Sequence, residues 1–506
     1  MKFPSRWTKW IGACLKSSWA SVLVNGSPTS EFKLQRGLRQ GDPLSPFLFI
    51  LAMEALEVIM KRADERGVFK GINLPNNGPC ISHLCYADDV IFMGEWSETN
   101  IKNLNRILRC FFLCSGLKVN LDKSSITGVG VEVEEVERMA EMLKCRKGTT
   151  PFKFLGLTVG ANMKRVKHWK PVIDKFNTKL SAWKAKCLSF AGRVVLAKAV
   201  LGALPNYYFS LYPAPKKVIN TLDVIRRDFI WGRKAGRFKI RWIAWSKMIR
   251  MKQHGGFGLG DLRSANIAFL IKWWWKYKTK PEELWTKVIK STHESKRSNN
   301  FLPINNTFAG TWKDIVGAGK ELEKMGIVAA EELVAEVGSG TRVKFWLDNW
   351  IGGRALKDKY PEIFRIIKNK KANIVECRIQ AENEYQWNFE WVRPPNTDNE
   401  WAQWTDLMQE LNGAEFKDGE DRWVWNVSER GEFSVANVRK QINKLQGEGI
   451  EEQWKYWNSW VPPKINYFTW RAAIDKIPVK RDVRNKRNRP YMLSVSAPVQ
   501  SKCGKR

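Results

Sequence analysis

Apolar and polar positions follow two rhythms along this chain. Between residues 47 and 66 apolar side chains recur three and four apart. Ser45-Pro46 stands before them and Gly67 after, which predicts a helix with a proline-fixed start and a glycine stop. Ile101, Leu104, Ile107, Leu108, Phe111 and Phe112 form a second helical stripe ending at Gly116, and an acidic helix is expected around 131–143. Elsewhere the pattern is extended. Val22-Leu23-Val24 runs into Asn25-Gly26, residues 31–34 form another short strand, and the two are expected to pair as a hairpin. Residues 81–86 and 90–93 flank Ala87-Asp88-Asp89, so a tight hairpin would carry two adjacent carboxylates at its tip. Residues 117–120 read as a strand, and so do 152–159 around a central Gly156. From 161 to 280 the pattern turns mostly helical, and the last third holds short aromatic stretches such as 345–346 and 423–425.

Composition sharpens this picture. The 506 residues are 44% hydrophobic and 12% aromatic, ample for packed cores, which excludes wholesale disorder. A formal charge of +34 has no use in an enzyme of small neutral metabolites and points to a polyanionic partner. The excess is concentrated. Residues 161–280 carry 27 basic and 4 acidic side chains, whereas 1–160 carry 21 and 16, and 281–506 carry 37 and 31. Nine irregularly spaced cysteines do not make a disulfide framework and predict a reducing setting, nucleus or cytoplasm, rather than secretion. Neither a secretory signal nor a membrane span is expected: Met1-Lys2-Phe3-Pro4 leads into no long apolar run, and residues 47–60 are short and cut by Glu54 and Glu57.

Two carboxylates on one turn suit a hard divalent ion, which takes one or two carboxylates and fills its octahedron with phosphate oxygens and water. An Asp-Asp turn alone is more often a solvated turn. Here the β-prone flanks and the strongly basic block beside it improve the case for a metal site of the kind that phosphoryl transfer uses.

Tyr86-Ala87-Asp88-Asp89 resembles the active-site hairpin of reverse transcriptases. Upstream, the run Arg36-Gly37-Leu38-Arg39-Gln40-Gly41-Asp42-Pro43-Leu44-Ser45-Pro46-Phe47 is similar to the palm motif of non-LTR (LINE-type) retrotransposons, plant members included. Ser115-Gly116-Leu117-Lys118-Val119-Asn120 with Lys123-Ser124, and Phe154-Leu155-Gly156-Leu157, match the family's next palm elements in order. Gly192-Arg193, Phe229-Ile230-Trp231-Gly232, Gly255-Gly256-Phe257-Gly258-Leu259 and Phe345-Trp346-Leu347-Asp348-Asn349-Trp350 carry the likeness onward.

The resemblance implies an α+β fold: a partial right-hand polymerase palm with a mixed sheet and helices (1–160), then a basic, mostly helical thumb and connection (161–280). A connector (281–400) and an incomplete zinc-binding-like region (401–506) follow. It implies RNA-directed DNA polymerase activity with Mg²⁺ on Asp88 and Asp89, and Lys123 as a donor to the leaving pyrophosphate. Gln40, Gly41 and Tyr86 would line the incoming nucleotide, and Phe154, Leu155 and Gly156 would hold the primer end. The expected partners are an RNA template, a DNA primer and dNTPs, with lysines and arginines of 161–280 on the phosphate backbone and tryptophans there either stacking on bases or packing between helices.

Two departures qualify these expectations. The family's first palm carboxylate has no counterpart upstream of Arg36, so weak or absent polymerisation by this chain is expected, the alternative being a non-catalytic nucleic-acid-binding remnant. Trp457 to Arg471 resembles the start of a zinc-binding module, but only Cys503 follows where four ligands are needed.

Lesser signals read blandly. Cys110 and Cys114, at helical spacing, are expected to be buried thiols rather than zinc ligands with Cys80, Cys85 and His83. Residues 314–320 and 256–260 fall short of phosphate-loop and dinucleotide fingerprints. Residues 480–489 are a basic stretch.

Overall fold

The computed structural model describes residues 3–34, 37–179, 188–234, 237–238, 240–295, 298–381, 384–447 and 457–477. Arg36, Trp183, Cys503 and the basic stretch 480–489 lie outside them. The chain divides into two units. One comprises Met1–Ala161 with Glu282–Glu294, the other Asn162–Pro281 with Ser295–Arg506.

The first unit is α+β, as expected. Helix α1 (Ser5–Lys16) precedes four two-residue strands, β1 (Trp19–Ala20), β2 (Leu23–Val24), β3 (Ser27–Pro28) and β4 (Phe32–Lys33). Their pairing differs from the hairpin expected between 22–24 and 31–34: β2 pairs with β3, and β4 with β1. The reason is local. Asn25 and Gly26 have φ of 50° and 83°, the double left-handed turn that joins strands through two residues. It closes the ladder early and sends the chain back past β1.

Helix α2 (Ser45–Glu65) has Pro46 in its first turn and is followed by Gly67 at φ 63°, matching the sequence signals. Beyond it lie β5 (Ile72–Asn73), β6 (Cys80–Ile81), β7 (His83–Tyr86) and β8 (Asp89–Phe92). Helix α3 (Glu98–Ser115) starts where the Ser97 hydroxyl accepts from Asn100 N at 3.2 Å, and stops at Gly116, φ 73°. Strand β9 (Ser125–Ile126), helix α4 (Val133–Leu143) and strand β10 (Arg146–Lys147) follow, β9 and β10 running parallel. Residues 117–120 form no strand. Asn120 instead organises a turn, accepting Lys123 N on its side chain at 3.1 Å and Ser124 N on its carbonyl at 3.1 Å.

The core of this unit joins Leu56, Met60 and Ala63 of α2, Phe69, and Ile107 and Phe111 of α3. Val90 and Phe92 of β8 pack against it. Each large apolar side chain buried here contributes roughly 1.5–3 kcal/mol. Cys110 and Cys114, expected inside, are exposed; they sit one helical step around from Ile107 and Phe111.

The second unit is organised on the helix Leu262–Thr279, buried along much of its circumference, as a central helix must be. Asp261 caps it, accepting from Ser264 N at 2.7 Å. The helices Thr311–Glu323, Val435–Gly447 and Asn206–Phe209 pack on it. Of the described tryptophans of the basic block, Trp169, Trp231 and Trp274 are buried and Trp242, Trp245, Trp273 and Trp275 half-buried; the Trp169 indole donates to the Met163 carbonyl at 2.8 Å. For these three buried indoles, packing between helices is the role that the fold supports. An antiparallel ladder pairs Leu333–Glu336 with Arg422–Trp425. Nearby, Lys278 Nζ lies 2.5 Å from Asp348 Oδ1, both nearly inaccessible, and 4.3 Å from the Phe301 ring. Asp348 Oδ2 accepts Lys344 N at 2.8 Å.

Removing one partner from such a pair strands a buried charge. Lys278→Met is expected to lower unfolding free energy in urea by about 3–5 kcal/mol. Adding Asp348→Asn to it is expected to recover much of that loss, and a double variant as unstable as the single one would contradict this account.

Candidate active site

The hairpin of β7 and β8 is registered His83↔Phe92, Leu84↔Ile91, Cys85↔Val90 and Tyr86↔Asp89. Alternation in β8 turns Val90 and Phe92 toward the helical core. The connection is therefore two residues, Ala87 and Asp88, with Ala87 in the left-handed region at φ 51°. A side chain there costs about 1 kcal/mol relative to glycine. Asp88 stands in the turn and Asp89 opens β8. Both are exposed, as is Tyr86 at 64%. Neither carboxylate has an ion pair or side-chain hydrogen bond among the described residues. Two adjacent, uncompensated negative charges on a rigid turn are an electrostatic invitation to a cation.

The base of the hairpin is locked. Met93 N donates to the Ser82 carbonyl at 2.8 Å, continuing the ladder past Phe92. Half-buried His83 lies 6.5 Å from the Phe92 ring; burial lowers its pKa, and nearby Glu57 of α2 pulls the other way. Partial burial and Glu57 also raise the Cys85 thiol. Just beyond β8, buried Asn100 accepts Lys70 N at 2.8 Å and donates to the carbonyls of Lys70 and Glu95, each at 3.0 Å. A Cβ on Gly94 would stand 2.7 Å from the Lys70 carbonyl oxygen and 2.8 Å from Asn100 Nδ2, so only glycine fits this crossing. Asn100 and Glu57 were not singled out from sequence. The one available signal was a polar Asn inside an apolar helical stripe, three residues after a capping serine.

Gln40 and Gly41 form an exposed turn immediately before α2. Asp42 Oδ1 accepts Leu44 N at 2.8 Å, and the Ser45 hydroxyl donates to the Arg39 carbonyl at 2.8 Å. Gly41 has φ 89° and nothing within 4 Å of where a Cβ would stand, so backbone conformation rather than crowding selects glycine here. Lys123 is exposed in its turn and makes no ion pair with Asp88 or Asp89. Residues 152–159, read as one strand, are two: β11 (Phe152–Phe154) and β12 (Leu157–Val159) pair antiparallel through Leu155 and Gly156, at φ 49° and 78°. A bulky leucine with positive φ is unusual and makes this a sharply defined turn. Tyr86, Asp88 and Asp89 thus share one hairpin. The turn at 40–41 leads into the helix whose flank that hairpin covers. Among the described residues no group of three His, Cys, Asp or Glu side chains gathers around a possible metal position, and no helix is long and apolar enough to cross a membrane.

Comparison with known proteins agrees with the motifs. Residues 1–159 match the family described as reverse transcriptase (RNA-dependent DNA polymerase). An Arabidopsis thaliana protein named "Putative ribonuclease H protein" is 27% identical over 305 residues, 59% of this chain and 47% of that protein. An uncharacterised mitochondrial protein of the same plant is 52% identical over 67 residues, 13% of this chain and 55% of its own length. A Pol polyprotein of the R2 retrotransposable element of Popillia japonica is 27% identical over 157 residues, 29% of this chain and 25% of that protein. The chain spans about half the length of the first two of these relatives. The hairpin, the turn before α2 and these likenesses mark residues 1–159 as a reverse-transcriptase-type segment. More particularly, the segment is similar to the reverse transcriptase of a non-LTR element, the R2 Pol polyprotein.

Relieving the left-handed alanine gives a direct check on the turn. Ala87→Gly is expected to leave stability unchanged or raise it by up to about 1 kcal/mol, and Ala87→Val to lower it by at least as much. Thermal melts of the two variants decide; equal losses in both would mean that the turn is not left-handed.

Proposed function

We propose that residues 1–159 carry the catalytic carboxylates of an RNA-directed DNA polymerase. The observation that supports this most directly is the Tyr86–Asp89 hairpin, with both acids exposed and unpaired. Hard carboxylate oxygens on adjacent residues suit Mg²⁺, with Asp88 and Asp89 as its protein ligands. Bound there, the ion would supply activation of the primer 3′-hydroxyl and charge neutralisation on the departing pyrophosphate. In the reaction the 3′-oxygen bonds to the α-phosphorus of a dNTP as the bond to pyrophosphate breaks. In this reading Tyr86, Gln40 and Gly41 border the incoming nucleotide. Lys123 delivers a proton to pyrophosphate once template and nucleotide order its turn, and the turn at Phe154, Leu155 and Gly156 supports the primer end. Lysines and arginines of residues 161–280 hold the template–primer backbone. The setting is intracellular, nucleus or cytoplasm.

Two protein ligands are few for two-metal chemistry, so slow synthesis is part of the proposal. Primer extension on an RNA template, alongside binding of the same duplex, tests it. The expected result is weak, Mg²⁺-dependent incorporation that falls at least about 100-fold in Asp88→Asn and in Asp89→Asn, with duplex binding intact. Incorporation indifferent to both substitutions would overturn the assignment. Tight binding without any incorporation would leave the second reading, a nucleic-acid-binding protein of retroelement descent, which the charge of residues 161–280 favours.

A further inference from the structure

A group of cations in the second unit has no role in the site just described. Gly255, Gly258 and Gly260 bend residues 255–260 into a turn, with φ of 71°, 68° and 79°. Lys198 Nζ lies 3.4 Å, and Lys252 Cγ 3.3 Å, from the point where a Cβ on Gly258 would stand. Arg439 Nη2 is 2.6 Å from the corresponding point on Gly260. Side chains at 258 and 260 would therefore fill the space these cations occupy. Lys198 sits on a π-helical turn, Ala197–Leu201, a local widening often found at functional positions. Lys252 is steadied by its ammonium lying 4.5 Å from the Trp457 ring centre.

None of the three cations has an ion-pair partner among the described residues. Burial, together with the nearness of Lys252 and Arg439, pushes the Lys198 ammonium pKa down. Burial lowers the Arg439 guanidinium too, opposed by Asp261. Asp261 is already engaged: its carboxylate accepts Arg263 N at 3.3 Å, Ser264 N at 2.7 Å and the Ser264 hydroxyl at 2.6 Å. The turn's own amides point inward, Gly258 N donating to the Arg250 carbonyl at 2.7 Å and Gly260 N to that of Ile249 at 3.1 Å. An anion here would be held by side-chain charge rather than by a backbone cradle. A cavity of about 210 Å³, lined in part by Ser246, Arg250, His254, Asp261, Asn443 and Gln446, flanks the same turn.

We propose that Lys198, Lys252 and Arg439, gathered around the glycine turn at 255–260, bind a backbone phosphate of nucleic acid. Three unpaired positive charges repel one another, and a phosphodiester offers the compensating charge. Three separate stretches of chain contribute to the group, so its geometry is set by the fold. The proposal rests on the reading that the chain binds template and primer, and it narrows that contact to one place.

Anisotropy of a fluorescent RNA–DNA hybrid, titrated with the full chain across a KCl series, tests it. Replacing all three of Lys198, Lys252 and Arg439 by Gln is expected to lower the slope of log K against log salt by about 0.9, the value for one phosphate, and each single Gln variant by a part of that. Lys198→Arg is expected to keep the slope, and Lys324→Gln, in the same unit but ion-paired to Glu321, serves as the control. Because repulsion is relieved, the triple Gln variant is expected to melt no lower than the unaltered chain. Unchanged slopes in that folded triple variant would overturn this site alone. An unaltered chain that does not bind the hybrid would overturn it together with the broader reading, and a triple variant that melts well below the parent would show the three cations to be structural.

Discussion

The seating of Val90 and Phe92 against α2 and α3 is the contact on which the candidate site depends. Strand β8 has four residues and a single partner, too little ladder to be stable by itself in water. Its inward side chains join a core that also contains Met60 and Phe111, and that burial fixes the plane of the hairpin. With the plane fixed and a turn of two residues, Asp88 and Asp89 have little freedom in direction. Asn100 and Gly94 brace the far end, where the chain leaves β8 for α3. The carboxylates themselves add no packing. Their position is inherited from neighbours that carry no chemistry.

Much of this was legible in the chain, and the failures have physical causes. Helix α3 was readable because apolar period, capping serine and terminal glycine agreed, α2 from its period, Pro46 and Gly67, and α4 from its acidic, periodic pattern alone. The 83–92 hairpin was readable because β-prone alternation on both sides left few residues for the turn. Pairing among the first four strands was misread because a two-residue Asn-Gly turn outweighs the proximity of longer apolar runs. Leu155 hid the second hairpin, since a leucine gives no sign of adopting a left-handed backbone. Cys110 and Cys114 lie beside the buried stripe rather than in it, a distinction of one helical step that composition cannot resolve. For tryptophans in a basic block the sequence left packing and stacking both open, and burial of Trp169, Trp231 and Trp274 assigns those three to packing.

Charge is handled in two contrasting ways. Lys278 and Asp348 are buried and matched, with a backbone amide on the second carboxylate oxygen, so their charges cancel inside the fold. Asp88 with Asp89 on one unit, and Lys198 with Lys252 and Arg439 on the other, are left uncompensated. Like charges gathered without a partner repel one another and lower stability. One group sits at a strained turn and the other beside a glycine loop, and each is where the proposals above place a ligand of opposite charge.

The path of the chain between the units carries a practical implication. Residues 282–294 return to the first unit, where the helix Leu284–His293 receives a hydrogen bond from Asn76 Nδ2 at 2.8 Å on the Ser291 carbonyl, and where Gly78 abuts the Ser291 side chain. A polymerase-type piece cut at residue 161 would lack the helix against which the 76–78 turn is moulded. Dissection of this protein into independently expressed parts has to carry that distant helix along, or accept a loosened surface next to β6.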